Sequence, residues 1–301
     1  MTSVRDWWRP AHAPGVQMAL TLAALVLLLR PMGPWYVQAP LLFIGALSIV
    51  RPDAARIPAL WLGAAVAIAT RLAVDWPLPD NHIYLTAYWC LAAALALQGP
   101  TPEEHLATAS RLLVALAMSG AVLWKAFLSP DYMDHRFFRV TLFDDPRFAS
   151  ITMLVGGLSE AQLEESRDAL APLPAGAELL DGPILREPAP LRALATGLTW
   201  GGVGLEALLA AVMWFPQRRA RPWQHALLLL FCLVTYAIAP VAGFGWLLLI
   251  MGLCMCRPDQ GTLRAAYVAT FFVVLLVTEI PWATVLLQGW RALAGCSPPG
   301  P

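Results

Sequence analysis

Apolar stretches of membrane-spanning length alternate along this chain with short links rich in proline, glycine, arginine and acidic residues. A stretch of about 20 apolar residues is typical of a transmembrane helix, because a helix of that length crosses a hydrocarbon layer about 30 Å thick. The pattern predicts an all-α, polytopic membrane bundle of about nine transmembrane helices, with eight as the lower bound. The predicted helices cover about 15–30, 34–50, 57–74, 82–98, 104–127, 189–214, 223–240, 243–256 and 264–288.

The one long polar region, residues 129–188, contains eleven acidic residues and five arginines. Within it, residues 158–170 repeat apolar side chains at helical spacing, which predicts a short amphipathic helix that is soluble or lies on a membrane surface. Ser159 supplies a start for that helix, and residues 172–190 are predicted to form a Pro- and Gly-rich loop. We therefore expect a single integral membrane domain over 1–301, in which 129–188 is an extracytoplasmic loop with one amphipathic helix.

The composition agrees with a membrane protein and limits its partners. Hydrophobic residues make up 58% of the chain and charged residues 13%, with a mean hydropathy of +0.61. That is far more apolar than a soluble domain. Helices rich in Leu and Ala are favoured over a barrel, and each helix satisfies its own backbone in lipid. A formal net charge of zero argues against nucleic acid as a partner, so the expected partner is the lipid bilayer.

The distribution of arginine predicts the orientation of the bundle. Clusters of arginine stand before the first predicted helix and after the second, sixth and eighth. Short loops with positive charge stay on the cytoplasmic side of a membrane, so nine helices with a cytoplasmic N-terminus place every cluster on that side. The expected location is the bacterial inner membrane. In this orientation the turn 75–82, the end of the fifth helix and the region 129–188 share the external face.

Lys125 is the only lysine of the chain and stands at the end of the fifth predicted helix. Arginine stays protonated at any working pH, whereas a lysine can become a base when burial favours the neutral amine. Lys125 is therefore the first candidate for catalysis. The alternative is a lysine that extends from a helix end to the membrane surface as an anchor.

Four further polar residues are candidates for the site. His82 opens the fourth predicted helix and can donate or accept a proton; the alternative is a helix-start histidine bonded to a neighbouring carboxylate or to lipid headgroups. Asn81 is a candidate donor or a helix cap. Glu206 lies inside the sixth predicted helix, where a carboxylate needs a partner such as Arg71 or His82. Arg71 is a candidate binding residue or the i,i+4 ion-pair partner of Asp75.

The cysteines do not indicate a metal site. Cys254 and Cys256 are two residues apart, and no cluster of Cys or His accompanies them. We predict no bound metal and interpret the five cysteines as plain buried thiols: Cys90, Cys232, Cys254, Cys256 and Cys296.

Three segments are informative because of their order and spacing. They are residues 80–85 (DNHIYL), residues 121–125 (AVLWK) with 131–134 (DYMD) following, and residues 204–209 (GLEALL). Together they resemble the membrane domain of the vitamin K-dependent gamma-carboxylase family, also called the horizontally transferred transmembrane (HTTM) domain. The likeness is to an Asn-His-x-Tyr-Leu signature, a helix that ends in lysine, and a glutamate inside a later helix. It covers the membrane core only, and His135 stands where that family usually has glycine.

The resemblance implies chemistry with a reduced quinone of the vitamin K or menaquinone type as cofactor. In that family a lysine deprotonates the reduced quinone, and the anion reacts with oxygen to form a strong base. The resemblance implies that Lys125 is the base and that His82 stabilises the quinone oxyanion. Asn81, Arg71 and Glu206 are the predicted substrate-binding residues. The chain would then be a quinone-dependent carboxylase, which is a lyase, or a quinol oxidoreductase.

A rival hypothesis is a non-catalytic membrane protein that binds lipid or assists the assembly or maturation of another complex. Catalysis requires Lys125, His82 and Glu206 around one cavity that is open to lipid. A scaffold would show the same residues dispersed, each satisfied by a local partner. A transporter is a third reading, for which polar groups at the membrane midplane are expected; only Glu206 clearly meets that condition.

Overall fold

The computed structural model describes residues 4–9, 11–30, 32–77, 80–171, 185, 187–217, 219–238, 243–280, 285, 286 and 289. Over these residues it contains helices and no strand, which confirms the all-α prediction. The helices are α1 (Gln17–Leu29), α2 (Trp35–Val50), α3 (Pro58–Val74), α4 (Asn81–Gln98), α5 (Pro102–Leu123), α6 (Pro130–Met133), α7 (Arg136–Asp144), α8 (Ala149–Leu154), α9 (Glu160–Leu170), α10 (Ala189–Trp214), α11 (Arg221–Ile238), α12 (Phe244–Cys254) and α13 (Gly261–Glu279). The shorter turns are 3₁₀ turns at Val4–Trp8, Pro14–Val16, Ala54–Arg56 and Pro146–Phe148, and a π-helical turn at Trp124–Leu128.

Each of the nine apolar segments expected to span a membrane forms one helix, and these helices are α1–α5 and α10–α13. Among the described helices, however, three rather than nine are long and apolar enough to cross a membrane: Pro102–Leu128, Ala189–Trp214 and Gly261–Thr278. The regular helix is often shorter than the apolar run. The 13 residues of α1 extend about 20 Å at a rise of 1.5 Å per residue, less than a hydrocarbon layer of about 30 Å.

The chain divides into two compact units, which are described separately. The first unit comprises Met1–Ser119, Leu208–Leu233 and Val241–Leu275. The second unit comprises Gly120–Ala207, Val234–Pro240 and Leu276–Pro301. The helices α5, α10, α11 and α13 contribute residues to both.

Helices α1 to α4 and α12 form the packed part of the first unit. α2 packs against α1 and α3, α3 packs against α4, and α1 packs against α12. Trp61 of α3 and Trp89 of α4 are fully buried and meet edge-to-face with ring centroids 5.4 Å apart, an arrangement that the ring quadrupoles favour. The Trp61 indole also donates to the Ala55 carbonyl at 2.7 Å. All residues of α12 from Gly245 to Cys254 are buried, as expected for a helix that is apolar on every side.

Replacing Gly252 by alanine is expected to destabilise the first unit. A Cβ at this position would lie 2.5 Å from Cζ of Tyr267 and 2.8 Å from Cδ2 of Leu228, and Tyr267 is itself fully buried. Forcing a methyl group into a filled core costs about 1–3 kcal/mol. The free energy of unfolding, measured in detergent by tryptophan fluorescence, should fall by that amount.

The matched control is Gly120→Ala in α5, where a Cβ would meet nothing within 4 Å. That variant should be stabilised by about 0.5–1 kcal/mol, because alanine favours a helix interior more than glycine does. If Gly252→Ala were as stable as Gly120→Ala, the close approach of α12 to Tyr267 would be disproved.

The second unit contains its own hydrophobic core. α9 begins with a capping box in which Ser159 and Gln162 bond each other's backbone N–H, which confirms the predicted helix and its start. The apolar side of α9 faces this core rather than a free surface, and Leu163 is only 2% exposed. The buried members of the core are Leu142, Phe143, Phe148, Leu158, Leu163, Leu191 and Ala195.

The region 129–188 is more helical than the sequence analysis predicted. One amphipathic helix was expected, but α6, α7 and α8 precede α9 in the same region. α7 is amphipathic and buries Leu142 and Phe143, but it is only nine residues long, which is shorter than the stretch of about 11–18 residues over which a helical period is recognised. Of the predicted loop 172–190, residues 172–184 and 186 lie outside the described residues, and α10 has begun by residue 189.

Candidate functional site

Lys125 lies in a π-helical turn, Trp124–Leu128, that directly follows α5. Such turns are rare and occur frequently at functional sites. Pro130 disfavours a helical backbone at the residue before it, and Ser129 accordingly leaves the helix with φ −128° and ψ 81°. The chain therefore presents its only lysine where an apolar helix ends and the polar region begins.

An ion pair between Lys125 and Glu206 is the central contact of the site. Nζ of Lys125 donates to Oε1 of Glu206 at 2.5 Å, and the two side chains are 22% and 11% exposed. The expectation that Arg71 or His82 would be the partner of Glu206 is wrong. The partner is a residue 81 positions away in the chain, which becomes a neighbour only because α10 packs beside the turn that follows α5.

The second carboxylate oxygen of Glu206 is available for a further bond. Oε2 is buried and has no hydrogen-bond partner among the described residues. Leaving a buried polar atom unpaired costs about 1–3 kcal/mol, so each such atom calls for an explanation, and a catalytic role is one of them. An ionised carboxylate only accepts hydrogen bonds. The group that fits Oε2 is therefore a donor such as a hydroxyl.

Tyr132 completes this cluster, although the sequence analysis did not select it. Nζ of Lys125 lies 4.9 Å from the centroid of the Tyr132 ring, within the range of a cation–π interaction. Burial raises the pKa of the Tyr132 hydroxyl, and the Glu206 carboxylate raises it further, so the phenol stays protonated. A Cβ at Gly202, one turn before Glu206, would lie 3.3 Å from the Tyr132 hydroxyl oxygen. The acidic and aromatic segment 131–134 was the available signal for this residue.

His135 adopts a backbone conformation that is unusual for histidine. Its φ of 69° lies in the left-handed region, which glycine adopts without steric cost. Its ring lies edge-to-face with Trp200, with centroids 6.3 Å apart. The position is the one at which the gamma-carboxylase family usually has glycine.

Arg71 and His82 belong to the first unit, whereas Lys125 and Glu206 belong to the second. Within the first unit, Arg71 and His82 line one cavity of about 100 Å³. Of the five site residues expected from the sequence, Lys125 and Glu206 therefore form an ion pair in the second unit, Arg71 and His82 line a cavity of the first unit, and Asn81 joins neither.

The residues around the start of α4 are placed as follows. Nε of Arg71 donates to Asp75 at 3.2 Å, which confirms the expected i,i+4 ion pair. Asp80 is the N-cap of α4, but its side chain makes no capping hydrogen bond. Asn81 is the first residue of the helix; it is exposed and is not among the residues that line the cavity.

His225, near the start of α11, is a buried histidine paired with a residue of α13. It is 4% exposed, and its Nδ1 lies 2.9 Å from the hydroxyl oxygen of Tyr267. This buried pair lies within the first unit, and no local sequence signal links its two members, which are 42 positions apart.

The described cysteines are free thiols. Cys90, Cys232 and Cys254 are buried as predicted, and Cys256 is partly exposed, while Cys296 lies outside the described residues. Among the described residues, no group of three or more His, Cys, Asp or Glu side chains is arranged to hold a metal ion.

Comparison with protein-family models, curated proteins and solved structures finds no match to this chain. The resemblance to the HTTM domain therefore stays a prediction from the three sequence segments.

Proposed function

We propose that this chain is an integral membrane protein of the HTTM type, with nine helices in a bacterial inner membrane and a cytoplasmic N-terminus. The proposal that the chain spans a membrane is supported by three helices that are long and apolar enough to cross one. The shorter helices also carry large apolar side chains on the outside, and soluble monomers rarely expose broad apolar surfaces. Phe43 of α2, Val66 of α3 and Leu95 of α4 are each more than half exposed. A lipid environment accounts for these positions.

The proposed orientation predicts that a cysteine at Ala161 is labelled from outside the inner membrane. Ala161 is exposed on α9, and its replacement spares the Ser159–Gln162 capping box. A membrane-impermeant maleimide applied to spheroplasts should modify Ala161→Cys without permeabilisation, because the region 129–188 is external in this topology.

The matched control is Gln217→Cys, an exposed position in the arginine-rich link between α10 and α11. It should be labelled only after the membrane is permeabilised, and the wild-type protein supplies the background from native thiols. Labelling of Ala161→Cys only after permeabilisation would reverse the orientation.

We further propose that the Lys125–Glu206 pair is a proton-transfer site for a reduced quinone, in a quinone-dependent carboxylase or oxidoreductase. The observation that carries this proposal is the short contact between an amine and a carboxylate whose other oxygen is buried without a partner. The contact places a proton of Nζ within hydrogen-bond distance of a carboxylate oxygen, so the two groups can exchange it.

The chain's own residues supply each part of the proton transfer. The proton on Nζ of Lys125 moves to Oε1 of Glu206, which leaves a neutral amine beside a neutral carboxylic acid. The amine can then accept a proton from a bound hydroxyl. Tyr132 stays neutral and covers the amine with its ring.

The donor set fits a reduced quinone. When bound, this group supplies a hydroxyl of low pKa and an anion that can be oxidised. Oε2 of Glu206 is the acceptor that would hold a hydroxyl, and Lys125 is the base. The oxyanion-stabilising role predicted for His82 and the substrate-binding roles predicted for Arg71 and Asn81 stay predictions from the sequence, and the proton transfer proposed here does not use these residues.

A non-catalytic protein that binds lipid or assists assembly is the second candidate. It is favoured by the way Lys125 and Glu206 satisfy each other, since a structural ion pair needs no substrate. In that case the pair holds α10 to the turn after α5, and Oε2 of Glu206 binds water.

The two candidates differ in what copurifies with the protein. The purified chain should be extracted with organic solvent and the extract analysed by mass spectrometry. About one equivalent of quinone per wild-type protein, and a smaller amount per Glu206→Gln protein, supports the proposal. A quinone content no higher than that of an unrelated membrane protein, prepared from the same cells in the same detergent, supports the non-catalytic alternative.

A further inference from the structure

We infer that the cavity of the first unit is a binding site for a phosphate group, either the headgroup of a membrane lipid or free phosphate. This inference does not depend on the proton-transfer chemistry proposed for Lys125 and Glu206. The cavity has a volume of about 100 Å³, which is several times the roughly 10–15 Å³ that one water needs. A small tetrahedral anion fits this space.

Two arginines and a histidine supply the donors. Arg30, Arg71 and His82 all line the cavity. Arg71 uses Nε for its ion pair with Asp75, and its two terminal nitrogens make no hydrogen bond to the described residues. The ring nitrogens of His82 likewise have no hydrogen-bond partner among those residues. Guanidinium groups bind phosphate through parallel N–H bonds.

Arg30 is held in place by an aromatic ring. Its guanidinium carbon lies 5.8 Å from the centroid of the Trp246 ring, and Trp246 is buried. A stacked guanidinium has its orientation restricted, so less entropy is lost when it binds a ligand. Arg30 follows the last residue of α1 as its C-cap. The guanidinium of Arg30, at the end of α1, is therefore held in a fixed orientation at the cavity.

Two glycines with positive φ allow the backbone to approach these basic side chains. Gly243 has φ +96°, and a Cβ there would lie 3.3 Å from Cδ2 of His82 and 3.7 Å from Nε of Arg30. Gly33 has φ +89°, and a Cβ there would lie 2.8 Å from Cδ of Arg71. Any other residue would be strained at both positions and would crowd the three basic groups.

Two helix N-termini add to the positive potential. His82 is the second residue of α4, and Gly243 is the N-cap of α12. The N-terminus of a helix carries a partial positive charge and unpaired N–H groups that favour phosphate. In this cavity the two N-termini accompany two arginines, so the site does not rest on a helix end alone.

The carboxylates near the cavity leave room for an anion. Asp75 is paired with Arg71. Asp80 lines the cavity but is exposed, and solvent screens an exposed charge more than a buried one. The two terminal nitrogens of Arg71, the ring of His82 and the helix N-termini are available to bind a negatively charged group, and Arg30 adds its positive charge to the lining.

The aromatic residues around these helix ends favour a lipid as the source of the phosphate. Trp35 at the start of α2 and Trp76 after α3 are 79% and 69% exposed. Exposed tryptophans concentrate at the depth of the lipid headgroups. A cavity at that depth meets lipid phosphates at high local concentration.

The test is a binding measurement on the purified, delipidated full-length protein in detergent. The ligands are dihexanoyl phosphatidic acid, inorganic phosphate and, as the uncharged match, dihexanoyl glycerol, and binding is followed by the shift in melting temperature with ligand concentration. We expect phosphatidic acid to bind and the glycerol lipid not to bind. Arg71→Gln should raise the Kd for phosphatidic acid about ten-fold or more, because a charge-assisted bond is lost.

The matched control is Arg51→Gln, an exposed arginine of the same unit that lies outside the cavity, and its Kd should equal that of the wild type. His82→Gln serves as a second variant if Arg71→Gln does not fold without the partner of Asp75. Competition by inorganic phosphate would assign the site to the phosphate group itself, and its absence would assign it to a lipid headgroup. Equal binding of the charged and uncharged lipids, or an unchanged Kd in both cavity variants, would overturn the inference.

Discussion

Replacing Lys125 by arginine is expected to abolish the proposed quinol chemistry while the protein stays folded. A guanidinium keeps the positive charge that pairs with Glu206, but it stays protonated at any working pH and cannot act as a base. General base catalysis contributes about 10²–10⁴-fold to a rate, so the turnover of quinol by Lys125→Arg should fall by at least about 10²-fold. The measurement is quinol oxidation by purified protein in lipid nanodiscs, followed against pH.

One further observation completes this experiment. The melting temperature of Lys125→Arg should match that of the wild type, because the guanidinium keeps the positive charge that pairs with Glu206. The control is Arg51→Lys, which also exchanges lysine and arginine but at an exposed position. Its turnover should equal that of the wild type. A Lys125→Arg protein with wild-type turnover would eliminate the base and leave the structural ion pair as the explanation.

Replacing Lys125 by methionine is expected to destabilise the fold strongly. The Glu206 side chain is only 11% exposed, and its carboxylate would lose the cation that compensates its burial. Removing one partner of a buried ion pair costs about 3–5 kcal/mol; we expect the lower end of that range, because Lys125 is 22% exposed. The free energy of unfolding in detergent measures the loss.

The double variant Lys125→Met with Glu206→Leu should recover most of that stability, since an apolar pair of similar volume often replaces a buried ion pair without loss. Arg136→Met is the matched control in the same unit. Arg136 pairs with Asp131 and Asp134 at exposed positions, where ion pairs contribute little, so its removal should leave stability within experimental error. A double variant as unstable as Lys125→Met alone would show that the uncompensated carboxylate is not the cause.

These two experiments separate the chemistry of the lysine from its structural contribution. Arginine keeps the charge and removes the base, whereas methionine removes both. If Lys125→Arg keeps wild-type turnover and Lys125→Met is destabilised, Lys125 is an ion-pair partner only. If Lys125→Arg is folded but inactive and Lys125→Met is destabilised, Lys125 is also the base.

The positions of the long helices and of one local cap followed from the sequence by itself. Continuous apolar runs predicted α1–α5 and α10–α13, because burial in lipid and burial in a helical core both select such runs. The predicted bounds lie within a few residues of the observed ones, except that the last helix was predicted to extend to 288 and α13 ends at Glu279. The start of α9 at Ser159 was also predictable, since a capping box is made by residues three positions apart. The Arg71–Asp75 pair likewise connects neighbours on one helix face.

Average hydropathy did not predict how many helices are long enough to span a membrane, nor the fold of region 129–188. Both depend on local turns and on short helices. A 3₁₀ turn at Pro14–Val16 precedes α1 and a turn at Gly33 follows it, and both shorten the regular helix inside a longer apolar run. α7 is amphipathic but only nine residues long, so its period was not recognised in the sequence. Its apolar side packs against residues of α9 and α10, and that packing stabilises the short helix.

Apart from the Arg71–Asp75 pair, the neighbours of the candidate site residues were decided only by the tertiary structure. Lys125 meets Glu206 across 81 positions. Arg30, Arg71 and His82 line one cavity because the end of α1, the last turn of α3 and the starts of α4 and α12 meet there. A sequence determines the local period of its apolar residues, and with it the helices. Which charged groups become neighbours depends on how the helices pack. An ion pair forms between side chains within about 4 Å in space, and the separation of two residues along the chain does not determine that distance.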